Sequence, residues 1–292
     1  MAASNDNLTG EEDPAVNIYI NDPKAFCNIF FVLKGCITVV PTFFRKDGFS
    51  CECKNNAGSI VTIIEFPENK LFSYEANVGD DELLVGVPVA KLEETVKKCK
   101  KGVHARLTIW DHDSNNIYYS SSTPDTGILK IATKGVERNS FRRPLYTENS
   151  HTIKVLTNDF VSAIKFYDGD CEKISFKFYE GCVELVGINI NGKEIGEKPF
   201  GDKRGTPVII HEEEVTKTIG SARTPVRLRK KGKISRNDIS IFYKDIKSLS
   251  RLNLVSGENT FLRLTYEKDK PLCLKGAIGS IGDFSFYIRN IK

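Results

Sequence analysis

The sequence predicts an α+β protein built as two similar halves, with antiparallel sheets and few helices. The chain ends in three β-prone runs, Phe261-Leu262-Arg263-Leu264-Thr265-Tyr266, Pro271-Leu272-Cys273-Leu274 and residues 278–288. Charged or glycine-bearing turns separate them, as in an antiparallel meander. The order helix, strands, helix, strands occurs twice along the chain. With 292 residues and 40% hydrophobic content, one large or two medium domains can bury a core.

Residues 1–13 are polar and acidic with no apolar signal segment, and residues 1–15 are expected to form a disordered tail. The first domain is expected over residues 16–133. Asp22-Pro23 offers an N-cap followed by proline at the first helical position. Phe26, Ile29, Phe30, Leu33 and Ile37 then recur at helical spacing. Strands are expected at 48–53, 59–66 and near 71–75. A second helix begins around Pro88, buries Val89, Leu92, Val96 and Cys99, and stops at Gly102. Further strands are expected at 105–110, 117–121 and 127–133. Residues 134–150, with Gly135, Arg142, Arg143 and Pro144, read as a connector. The second domain, 151–292, resumes with a helix near 158–167 that buries Phe160, Val161 and Ile164, and strands at 173–178 and 182–189. Residues 191–233 are rich in glycine and charge, which predicts an extended loop with one or two strands. A final helix near 242–252 buries Phe242, Tyr243, Ile246 and Leu249.

Composition narrows the function classes. The apolar stretch 25–40 is interrupted by Asn28 and Lys34, so it reads as a core-facing helix followed by a strand, with no membrane partner implied. Eight cysteines sit mostly among apolar residues without paired zinc-type spacing, the pattern of buried free thiols in a reducing compartment. Cys51 and Cys53 share a strand face and read as packing. Trp110-Asp111-His112-Asp113 could supply metal ligands, but its position between two strands favours a solvated hairpin tip. No GxSxG, P-loop or HExxH motif is present, so neither an enzyme nor a cofactor is expected. The net charge of +4 is mildly basic, and only its placement can bear on nucleic acid.

The C-terminal run Pro271 to Ile288, the segment 83–109 and the segment 158–186, with Phe160, Lys165 and the turn Glu180-Gly181, together resemble the PCNA family of DNA sliding clamps. The resemblance covers nearly the whole chain beyond the tail and points to a divergent or viral member. It implies two similar domains, each with two helices packed on curved antiparallel sheets, closing into a ring. It also implies no bond chemistry. The expected function is encirclement of duplex DNA, processivity for a DNA polymerase, and a docking platform for replication and repair proteins in the nucleus or a viral replication compartment. The implied partners are double-stranded DNA, polymerases and other clamp-binding-peptide proteins, a clamp loader where one is used, and the chain itself as a homotrimer. The alternative is a monomeric or dimeric clamp-fold viral processivity subunit that holds DNA by a basic face.

Sequence-independent phosphate contact needs cations spread along an inner wall. At about 100° per residue, Lys97, Lys98 and Lys101 fall opposite the apolar face of the second helix. Lys244, Lys247 and Arg251 fall opposite that of the last helix. Lys165 and Lys34 match basic positions of the family. From the residues alone these are equally ordinary solvated faces, supported by the Glu93–Lys97 and Glu94–Lys98 spacings. Cys27, Asn28 and Ser162 stand where the family commonly places basic residues. The run 227–233 (Arg-Leu-Arg-Lys-Lys-Gly-Lys) reads as a charged hairpin, an extra DNA contact or a localisation signal. For the client peptide, with one aliphatic and two aromatic anchors, the resemblance assigns Ile60, Leu145, Tyr146, Pro271 and Tyr287. Pro271 and Tyr287 could equally be core. Ring closure is expected to pair edge 127–133 with an edge near 207–210 of the next subunit.

Overall fold

The computed structural model describes residues 13–35, 37–79, 82–96, 104–121, 128–138, 141–148, 150–180, 182–200, 231–233, 238–257 and 259–291. Residues 1–12 of the expected tail and the 207–210 edge lie outside them, as do Lys97, Lys98, Lys101 and residues 227–230 of the basic run, whereas Ala15, expected in the tail, is buried and its carbonyl accepts from the Asn77 backbone N–H at 2.8 Å.

In the first half, β1 (Val16–Ile20) precedes α1 (Pro23–Leu33). The Asp22 carboxylate accepts from the Ala25 backbone N–H at 2.9 Å, capping α1 while Pro23 occupies its first turn. Strands β2 (Val39–Arg45), β3 (Gly48–Lys54), β4 (Ile60–Pro67), β5 (Ser73–Ala76) and β6 (Leu83–Pro88) follow, then α2 (Val89–Val96), β7 (Ala105–Ile109), β8 (Asn116–Ser121) and β9 (Leu129–Ala132). The second half runs β10 (His151–Leu156), α3 (Thr157–Phe166), β11 (Cys171–Glu180), β12 (Cys182–Asn189), β13 (Glu194–Phe200), β14 (Lys231–Lys233) and β15 (Ile239–Phe242). It ends with α4 (Tyr243–Ile246), a 3-10 turn at Lys247–Arg251, α5 (Asn253–Ser256), β16 (Phe261–Tyr266), β17 (Leu272–Ile278) and β18 (Gly282–Ile288).

Four strands of each half build one eight-stranded sheet, in the order β10-β16-β17-β18-β4-β3-β2-β6. The halves join where β18 pairs antiparallel with β4, from Asp283↔Glu65 to Ile288↔Ile60. Each half adds a smaller sheet, β5-β1-β7-β8-β9 in the first and β13-β12-β11-β14 in the second, where β15 also pairs with β11. One core runs through both halves. In it Phe26 of α1 meets Phe49 and Phe66 at ring-centroid distances of 6.1 and 5.4 Å, and Phe178 stacks on Tyr266 at 4.2 Å.

Several elements differ from expectation. The helix expected near 242–252 is broken into α4, the 3-10 turn and α5. Ser248, Ser250 and Asn253 offer side-chain alternatives to helical backbone bonding there, and Gly257 at φ 89° ends the run. Strands β1, β6, β10 and β15 were not read individually, being short apolar runs beside helices, where periodicity does not separate strand from helix. The stretch 111–113 is a 3-10 turn at a hairpin tip. Its Asp113 carboxylate accepts from Tyr118, from Asn116 at 2.5 Å and from Lys130 at 2.9 Å. These bonds hold its carboxyl well below the usual range.

Candidate functional site

The helices share one side of the eight-stranded sheet. Helix α1 packs on α2, α5, the 3-10 turn and β17, and α3 packs on β10, α5 and the same turn. Strand alternation then sorts β4. Ile60, Ile64 and Phe66 point into the main core beneath the helices, whereas Val61 and Ile63 point to the opposite face. The eight-stranded sheet therefore carries two distinct packed faces back to back.

On the helix side, Lys34, Lys165, Lys244, Lys247 and Arg251 are all exposed. Lys247 donates to Asp168 at 2.6 Å, tying the 3-10 turn to the end of α3. The Arg251 guanidinium lies 4.3 Å from the ring centroid of Phe31, linking the last helical segment to α1. Tyr243, Ile246 and Leu249 are buried, so the broken helix still keeps its cations apart from its apolar face. Lys24 and Lys91 are exposed on α1 and α2 as well and went unnoticed in the sequence. Cys27 is fully buried, and Asn28 donates to the Leu254 carbonyl at 2.8 Å. These two departures from the family pattern thus serve packing and helix docking. Ser162 is exposed.

On the opposite face, a second apolar cluster consists of Val61, Ile63, Cys273 and Tyr287, with Phe141 and Tyr146 of the connector packed against it. Of the residues expected in the groove, Tyr146 and Tyr287 meet here, and the Tyr146 hydroxyl donates to the Pro271 carbonyl at 2.6 Å. Leu145 is 81% exposed at the rim. Ile60 lies elsewhere: it joins the main core, whereas Val61 and Ile63, just as buried, join this second cluster from the other face of β4. Phe141 was missed. Its ring lies 5.4 Å from that of Tyr287, and the signal for it was a lone aromatic in an otherwise polar connector. Burial pushes the Cys273 thiol up to about 11 and raises Tyr146 and Tyr287, so the cluster is uncharged at neutral pH.

The connector is strapped over this face. It begins at the bridge between Gly86 and Lys134, where an added Cβ on Gly86 would lie 2.2 Å from the Lys134 carbonyl oxygen. Arg138 pairs with Glu82 at 3.2 Å, and Arg143 with Glu65 at 2.9 Å and Glu52 at 3.7 Å. Glu267 accepts from the Thr147 backbone N–H at 2.8 Å, and Lys270 donates to the Leu145 carbonyl. Two basic connector residues thus neutralise sheet glutamates.

Among the described residues, no group of three or more histidine, cysteine, aspartate or glutamate side chains is placed to hold a metal. Among them, too, no helix is long and apolar enough to cross a membrane.

A continuous sheet spanning two similar halves, with helices on one face and a strapped groove on the other, defines the PCNA-type DNA clamp fold. Solved structures bear this out. Proliferating cellular nuclear antigen from Entamoeba histolytica superposes with a TM-score of 0.74 at 13% identity, covering 96% of this chain and 100% of that one. A PCNA2–PCNA3 complex from Sulfolobus tokodaii gives a TM-score of 0.70 at 17% identity, covering 94% and 98%. No protein-family profile matches the sequence, and no curated protein matches it.

Proposed function

We propose that this chain is the subunit of a DNA sliding clamp. It closes head to tail as a homotrimer around duplex DNA, confers processivity on a DNA polymerase, and docks other replication and repair proteins, in the nucleus or a viral replication compartment. It performs no bond chemistry itself. The observation that carries this reading is the opposition of the two surfaces: exposed cations on the helix side and an apolar cluster beneath the connector on the other side of the same sheet. Such an arrangement lets DNA and client be held at once, with phosphate contact that reads no sequence. A clamp loader is a partner in so far as the ring must be opened.

Two sheet edges support head-to-tail closure. Among the described residues, strand β9 ends the smaller sheet of the first half, and β13 ends that of the second. Beside them Ile128 is 72% exposed and Ile195 39%, so pairing β9 with β13 of the next subunit would cover apolar side chains as well as unpaired backbone. Among the described residues β13 offers such an edge, and the expected edge near 207–210 lies outside them.

Light scattering on the full chain tests the reading. A homotrimer gives about three times the 32.7 kDa chain mass. A mass of one or two chains that does not change with concentration would replace the ring by a monomeric or dimeric subunit holding DNA on its basic face.

A further inference from the structure

We propose that the connector is a reversible plug: Phe141 occupies the groove as an internal competitor and must lift away before an aromatic client anchor can bind. This rests on the docking reading above. The Phe141 and Tyr287 rings, with centroids 5.4 Å apart and planes at 49°, are in direct contact, the separation of a packed aromatic pair with no room for a third ring between them. Phe141 thus covers the cluster that an incoming anchor needs.

The strap is unequally fastened. Its end near Tyr146 is held by hydrogen bonds to Pro271 and Glu267 that are backed by Lys270. Its middle is held by ring contact and by ion pairs, Arg143 with Glu65, each side chain 46% exposed, and with Glu52 at 3.7 Å, and Arg138, 68% exposed and 6.0 Å from the Phe43 ring, with the 18%-exposed Glu82. Pairs whose cations reach solvent in this way are modest in worth and are weakened by salt. The Phe141 arm is therefore the part that opens, while Tyr146 stays as a wall. A client's apparent affinity is its intrinsic affinity multiplied by the fraction of molecules in which the arm is open.

The test uses the full chain and a fluorescein-labelled peptide of zero net charge, with one leucine and two phenylalanine anchors on one helical face, read by anisotropy. Phe141→Ala should bind it more tightly, by roughly threefold to tenfold, the worth of one aromatic pair. Arg143→Gln, which loosens the strap without touching the ring, should strengthen binding in the same direction. Added sodium chloride should tighten binding to the unaltered chain and leave Phe141→Ala unchanged. The iodoacetamide labelling rate of Cys273, followed by peptide mapping, should rise in both variants as the cover lifts. Equal or weaker binding by Phe141→Ala would overturn the plug alone and make Phe141 a contacting wall. Binding to neither protein would overturn the docking reading and the plug with it.

Discussion

Under the proposed function, a one-residue shift along β4 decides which side chains a client would meet. Ile60 packs in the main core, and Val61 packs in the cluster beneath the connector. Val61→Asp should therefore abolish peptide capture even in the folded fraction, because charging a central anchor site costs about 2 kcal/mol or more of binding, and it should also lower stability, since the residue is buried. Ile60→Ala should instead lower unfolding stability by about 2–5 kcal/mol with peptide binding retained in the folded fraction. Chemical denaturation alongside peptide titration distinguishes the two, and a reversal of these effects would return Ile60 to the groove. The sequence around this position, Ile60-Val61-Thr62-Ile63-Ile64, is apolar on both faces. Such a strand carries no period-two signal, so its presence was legible and its facing was not. Tyr146 and Tyr287 were named through the resemblance, and the fold packs them in one cluster. Phe141 became visible only through its packing on Tyr287.

At the scale of elements, the cations of the helix side act as a set spread over α1, α3 and the broken last helix. Reversal of Lys165, Lys244 and Arg251 to glutamate should weaken duplex binding at low salt. It should also flatten the slope of affinity against salt, by nearly one counterion for each phosphate that is no longer neutralised. Lys247 differs because its ammonium is engaged by Asp168 at 2.6 Å. Asp168→Asn should release it and strengthen duplex binding, whereas an unchanged affinity would place Lys247 away from DNA. Filter binding across a salt series reads both effects. The separation of cations from apolar residues in the last helix was legible from a 3.6-residue period. Its break was not, since Ser248, Ser250 and Asn253 permit a helix without requiring one. The edge strand β13 lay hidden in a glycine- and charge-rich segment whose apolar positions are few.

For the whole molecule, the C-terminal meander proved the most telling part of the sequence, because its last strand β18 is the seam that joins the two halves through β4. Two-domain repetition and the clamp fold were legible from such runs, while relative placement of the sheets required long-range pairing that local pattern does not encode. The central claim, topological enclosure of DNA, is tested most directly by retention on circles. Subunits diluted until they separate, then concentrated with a nicked plasmid circle, would close around it without a loader. After a high-salt wash that removes ordinary phosphate contacts, the account predicts that protein remains with the circle and is released when one restriction cut linearises it. Loss of the protein from intact circles in that wash, under conditions where light scattering reports a closed trimer, would contradict it.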